Sequence, residues 1–307
     1  MPDFETLLNV QCMMFILMGL GLLLCRLGIL GAQQKKGLSD LVLKVILPCN
    51  IVNSFRIAFG REIFLSFSQI LLVSVLVQLF CLLLSRLLYR RLSPERQAVL
   101  TYGTICSNAG LIGNPIAEGL YGAQGLLYAS IYLVPQRVVM WSAGLHCFTR
   151  EKDYKRSIQK VLTHPCIIAV FVGLMLMLTQ LQLPAVLDRT LKSLSGCNTA
   201  LSMIAVGAIL GEVNPREAVN RQIAAYTLLR LVGIPLVVFC GCLLAGLDPV
   251  VTGVSVILAG MPAGSTTAIL AASYRGDAAF ASKCVFFSTL CSLFSVPLWC
   301  AALLLAA

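Results

Sequence analysis

Two stretches of the 307-residue chain hold the polar groups and helix-breaking residues from which a binding site can be built. The first reads Cys106-Ser107-Asn108-Ala109-Gly110-Leu111-Ile112-Gly113-Asn114-Pro115. The second reads Ala259-Gly260-Met261-Pro262-Ala263-Gly264-Ser265-Thr266-Thr267. Asn108, Asn114, Ser265 and Thr266 supply amides and hydroxyls, while the glycines allow close backbone approach. Pro115 and Pro262 cannot donate the i to i−4 bond and clash with the preceding turn. A helix interrupted this way presents N–H groups and a positive dipole end on one side and carbonyls on the other. The N-terminal ends suit a carboxylate. The carbonyl ends could suit Na⁺, and the amides and hydroxyls serve either ligand. For each stretch alone, a simple proline kink in a packed helix is the competing reading.

Three arginines sit at or inside apolar runs: Arg56, Arg137 and Arg230. Charge inside a membrane is costly and is paired, snorkelling or functional. Arg56 lies near a helix end and can snorkel. Arg137 lies mid-span beside Gln136 and Pro135, with few acidic residues in the spans to pair it. It reads either as an anion contact or gate, or as the partner of a helix carbonyl, and Arg230 shares that logic. Asn50 and Asn53, three apart after Pro48, lie near one helical face. They either point to a cavity or hold one helix to another. Asn198-Thr199-Ala200-Leu201-Ser202-Met203 places similar groups in the second half. His146 and His164 fall near span ends and are expected to face solvent or headgroups, so neither makes a convincing proton relay.

The elements that must position these groups are membrane spans. The chain is 58% hydrophobic and 12% charged, with mean hydropathy +0.89. A soluble domain carries about 25% charge. Apolar runs near the required length of about 20 residues are placed at 4–25, 38–58, 63–85, 97–118, 123–147, 161–179, 195–212, 221–244, 248–271 and 277–304. Sixteen basic residues fall in the odd-numbered loops and three in the even ones. The positive-inside rule then puts both termini outside, which an even span count requires. The linker 149–160 divides the chain into five spans (1–148) and five more (161–307). An odd number per repeat inverts the second half, and matching interruptions in the fourth span of each half mark a transporter's binding site.

Other classes fit poorly. The net charge of +10 is spread through short loops, with no basic face for nucleic acid. The thirteen cysteines lack metal-site spacing and read as small hydrophobes within spans. No cleaved leader or extramembrane domain is expected. No G-x-S-x-G, H-E-x-x-H or P-loop pattern occurs, so the chain is not read as an enzyme and no cofactor is expected beyond a coupling H⁺ or Na⁺. Gly19-Leu20-Gly21 and the run Gly207 to Gly211 are expected to pack helices closely or to form a dimer.

The ten-span layout, the Asn108 to Pro115 break and Met261-Pro262-Ala263 resemble the auxin efflux carrier family. The likeness continues through Ala268-Ile269-Leu270-Ala271, Tyr274, Asp277, Ser288-Thr289-Leu290-Cys291-Ser292 and Val296-Pro297-Leu298. The resemblance implies permeation of small organic anions such as malate, malonate or auxin, and a fold like the bile-acid sodium symporters. It implies a scaffold and dimer surface from spans 1, 2, 6 and 7, and a moving transport domain from spans 3–5 and 8–10. It assigns substrate binding to Asn114-Pro115 and Met261-Pro262-Ala263. The short linker fits the compact prokaryotic type, placing the chain in a bacterial inner membrane. The expectation is an all-α carrier for a small organic anion. An anion channel or facilitator, or a non-transporting sensor, is the alternative.

Overall fold

Apolar runs punctuated by proline and glycine become helices that end or change register at those residues. A computed structural model describes residues 4–56, 61–148, 159, 162–211, 220–264, 266–274 and 276–306. All of the named elements are helical. The first half holds α1 (Phe4–Arg26), α2 (Ala32–Leu41), α3 (Leu47–Ser54), α4 (Arg61–Leu88), α5 (Pro94–Ile105), α6 (Asn114–Val139) and α7 (Leu145–Phe148). The second holds α8 (Pro165–Thr179), α9 (Ala185–Gly196), α10 (Asn198–Leu210), α11 (Arg221–Leu228), α12 (Ile234–Leu244), α13 (Pro249–Ala259), α14 (Thr266–Ser273) and α15 (Ala278–Ala306). Most of the linker 149–160, together with Arg216 and Arg275, lies outside the described residues.

Among the described residues, four π-turns occur, and three of these immediately precede the start of a proline-led segment. Val42–Ile46 leads into Pro48, Ala109–Gly113 into Pro115 and Leu229–Gly233 into Pro235. In each case the next residue bonds five positions back: Leu47 to Val42, Asn114 to Ala109, and Ile234 to Leu229. The missing proline N–H frees a carbonyl, and the ring forbids the normal turn, so the chain takes the wider one.

Among the described residues, three helices are long and apolar enough to cross a membrane: Leu65–Leu88, Arg221–Leu244 and Ala278–Leu305. Cys12–Arg26, Pro165–Thr179 and Pro249–Ala259 are shorter apolar helices. Along α4, Leu72, Leu76, Leu79, Leu83 and Leu87 are all exposed on one stripe. Such a stripe cannot stay in water and matches a lipid-facing surface. The core gathers instead around the breaks: α13 is buried on every side from Val251 to Ala259, as are Leu126–Leu133 of α6.

Glycines decide two features of this packing. An added Cβ at Gly21 would lie 2.1 Å from the Ile204 carbonyl oxygen, and one at Gly207 would lie 1.9 Å from that of Met18. Gly21 and Gly207 therefore let α1 and α10 touch backbone to backbone within one chain, whereas Gly19 faces open space. Gly122 turns α6 with φ 62° and ψ −150°. That region is essentially reserved for glycine. Gly122→Ala is expected to cost about 1–3 kcal/mol through backbone strain alone, seen as a lowered unfolding midpoint in detergent. No side chain obstructs the new methyl, because nothing lies within 4 Å of it.

Arg56 is ion-paired with Asp188, which Lys192 also holds at 3.0 Å. Lys192 first, and Arg56 second, keep the half-buried Asp188 carboxyl below the usual carboxylate range.

Candidate functional site where the helix breaks meet

The two interruptions are bonded to each other. After α5 ends at Ile105, Ser107 forms an antiparallel bridge with Ala263. Asn108 N–H donates to the Pro262 carbonyl at 2.8 Å, and Gly264 N–H donates to the Cys106 carbonyl at 3.0 Å. Backbone groups released by the breaks thus find partners across the junction rather than in lipid. A Cβ on Gly264 would meet the Cys106 oxygen at 3.1 Å, and one on Gly113 would meet Met261 Cγ at 3.1 Å. Close approach explains both glycines.

Side chains lock the junction. Gln136 donates from Nε2 to the Ser107 carbonyl at 2.9 Å and accepts from Ser107 Oγ at 3.1 Å. Ser288 Oγ accepts from the Ala263 amide at 3.2 Å, and Tyr102 OH donates to Thr266 Oγ1 at 3.2 Å. Arg230, 3% exposed, donates from Nε to the Met261 carbonyl and from Nη1 to the Thr104 carbonyl, both at 3.0 Å. Those carbonyls lie at the C-terminal ends of α5 and α13, where the helix dipoles leave partial negative charge. The guanidinium therefore occupies the carbonyl-rich side of the crossover.

Asn114 begins α6 and is completely buried, yet neither its Oδ1 nor its Nδ2 has a hydrogen-bond partner. Thr267, at the start of α14, is also fully buried with an unbonded hydroxyl. Buried polar groups are normally satisfied, so such exceptions need an explanation. Arg137 lies beside the first break: its Nη2 would be 3.4 Å from a Cβ added at Gly110. Arg137 Nη1 meets His164 Nε2 at 3.0 Å. An arginine can only donate, and the Cys166 N–H lies 3.3 Å from the other ring nitrogen, Nδ1, so the imidazole is neutral and its one lone-pair nitrogen serves one of the two donors. The neutral ring leaves the arginine's positive charge uncancelled. His164 was expected at solvent or headgroups; it is half-buried against Arg137 instead.

The junction collects Asn108, Asn114, Pro115, Arg137, Arg230, Met261, Pro262, Ala263 and Thr266. Ser265 lies outside the described residues. Asn50 and Asn53 join another cluster: Asn50 Nδ2 donates to Glu118 Oε2 at 2.9 Å, and Asn53 Nδ2 to Ser195 Oγ at 3.4 Å. Thr267, Gln136 and Glu118 were not among the predicted site residues. Thr267 and Gln136 had a signal, since each directly adjoins a predicted position. A cleft of about 20 Å³ beside the first break is lined by Met14, Met18, Ile112, Ile116, Met203 and Ser292, among others.

The fold and junction define an all-helical integral membrane protein built around two mutually bonded helix interruptions. The chain belongs to the membrane transport protein family, whose model matches residues 5–160 and 152–300; this is the auxin efflux carrier family. It is 28% identical over 316 residues to an uncharacterized transporter of Methanothermobacter thermautotrophicus, covering 97% of this chain and 98% of the relative. A second uncharacterized transporter, from Methanocaldococcus jannaschii, is 24% identical over 301 residues, covering 95% of this chain and 97% of its own.

Proposed function

We propose that the protein is a secondary carrier for a small organic anion, a mono- or dicarboxylate of malate-like or auxin-like chemistry, working by alternating access. The observation that carries this reading is the wholly buried Asn114 amide, unbonded at both atoms, in the first turns of the half-helix that opens at Ala109 beside Arg137. A carboxylate there would accept from the amide and from the positive helix end, and Arg137 would balance its charge. Thr267 offers a matching hydroxyl from the other break.

In this reading the chain has ten spans in a 5+5 inverted repeat, with spans 4 and 9 broken and crossing. Both termini face outward from a bacterial inner membrane. Spans 1, 2, 6 and 7 form the scaffold, and spans 3–5 and 8–10 move against it. The α1–α10 contact through Gly21 and Gly207 supports a rigid scaffold. An exposed apolar stripe on α8, including Ile168, Phe171, Met175 and Leu178, offers the scaffold a surface for a homodimer. Arg230 already neutralises the α5 and α13 carbonyl ends, so Na⁺ has no evident place there.

A thermal-shift screen of mono- and dicarboxylates, with and without Na⁺, tests the reading. Carboxylates should raise the unfolding midpoint in a concentration-dependent way, without Na⁺. No stabilisation by any carboxylate would contradict it.

A further inference from the structure

Glu118 lies four residues beyond Asn114 on α6, which places both on one helical face about one turn apart. Its carboxylate is reached from both halves of the chain. Asn50 on α3 donates to it at 2.9 Å. The wholly buried Asn198 on α10 lies nearby, its Nδ2 without a hydrogen-bond partner. Ser195, at the end of α9, donates to Asn50 Oδ1 and so closes the cluster. An ionised carboxylate only accepts, which suits the Asn50 Nδ2 that faces it.

Among the described residues, Glu118 has no ion pair. The charged groups on the elements around it are engaged elsewhere or exposed. Beyond α3, Arg56 is tied to Asp188 of α9, and Lys192 of α9 is tied to the same acid. The α10 sequence contains no titratable residue. On α1, Glu5 and Cys12 are exposed, and Arg26 ends the helix. On α13, Asp248 caps its own helix, and ahead of α8, His164 faces Arg137. On α4, Arg61 and Arg86 stand in the first and last turns.

We propose that Glu118 is the coupling site of the carrier and that its ligand is a proton, bound when the carboxyl leaves Asn50 and Asn198. The inference rests on the transport reading above. In the arrangement seen here, the Asn50 N–H stabilises the ionised form. Na⁺ would need oxygen ligands, and the group bonded to the carboxylate is an N–H donor. When α6 moves against α3 and α10, that donor is lost. A half-buried carboxylate stripped of its donor is disfavoured, and taking up one proton converts it to the neutral acid. Docking again restores the donor and releases that proton. Because Glu118 rides one turn from Asn114, the anion and the proton travel on the same half-helix.

Proteoliposomes of wild type, Glu118→Gln and Glu118→Asp test this with radiolabelled malate and indole-3-acetate. The inference predicts that a pH gradient drives accumulation in wild type and Na⁺ does not. Glu118→Gln should lose accumulation about tenfold or more relative to counterflow, and Glu118→Asp should recover part of it. A second readout needs no substrate: infrared difference spectra between about pH 8 and about pH 5 should show a protonated-carboxyl band in wild type that Glu118→Gln lacks. Identical spectra, or pH-driven accumulation unchanged in Glu118→Gln, would overturn the proton site. Accumulation driven by Na⁺ would overturn the choice of ion. Failure of both probes to counterflow, with the carboxyl band intact, would instead overturn the anion-carrier reading and leave the proton site standing.

Discussion

Replacing Arg230 with alanine is expected to dismantle the crossover. The side chain is 3% exposed and holds the Thr104 and Met261 carbonyls at 3.0 Å each. Removing it orphans two buried acceptors, at about 1–3 kcal/mol apiece. It also removes the positive charge lying between two helix C-terminal ends. These acceptors belong to opposite halves of the chain, so the loss acts on their junction and not on one helix alone. Native protein should unfold at a clearly lower temperature, and transport should disappear with it. Arg230→Lys should recover only part of the stability. A lysine is a point donor on a flexible stem and does not reproduce a planar fork spanning two acceptors. Unchanged midpoints for Arg230→Ala would show that the guanidinium does not brace the breaks.

Asn114→Ala should behave in the opposite way. Asn114 is fully buried, but its amide atoms bond to nothing. A buried unpaired amide is unfavourable, so deleting it is expected to leave stability unchanged or slightly raised. Binding of a carboxylate should nevertheless weaken by about one to two orders of magnitude, the value of one hydrogen bond to a charged group. A purely structural asparagine would show the reverse split, with a lower unfolding midpoint and unaltered anion affinity. Calorimetric binding and thermal unfolding on the same preparation distinguish the two.

The breaks themselves were legible because proline and glycine act locally. Pro262 lies within the irregular backbone after α13, whereas the chain is already helical again from Ala109, and Pro115 marks only the change from the π-turn to α6. The register change ahead of Pro48 and Pro235 follows from the same local chemistry. What local patterns do not carry is which distant groups meet. Nothing near Arg230 in the chain reveals that it bonds carbonyls on two other helices. Arg137 and His164 are separated by the linker, so their contact is a product of tertiary packing. Glu118 ends the fourth apolar run in the sequence, and nothing around it there marks a binding role. Its role depends on the helical face it shares with Asn114 and on Asn50 and Asn198, contributed by different halves. Span length was also only partly legible: π-turns and breaks divide apolar runs, leaving, among the described residues, three helices long and apolar enough to cross a membrane.

The central claim is that an anion is carried through the crossover at Asn114. Counterflow of radiolabelled carboxylate into proteoliposomes, compared for wild type and Asn114→Ala, tests it most directly. Wild type should be accelerated by unlabelled carboxylate on the opposite side, and Asn114→Ala should lose that acceleration while remaining folded. Flux indifferent to substrate on the opposite side would mark a channel instead, and equal counterflow in both proteins would place the anion elsewhere.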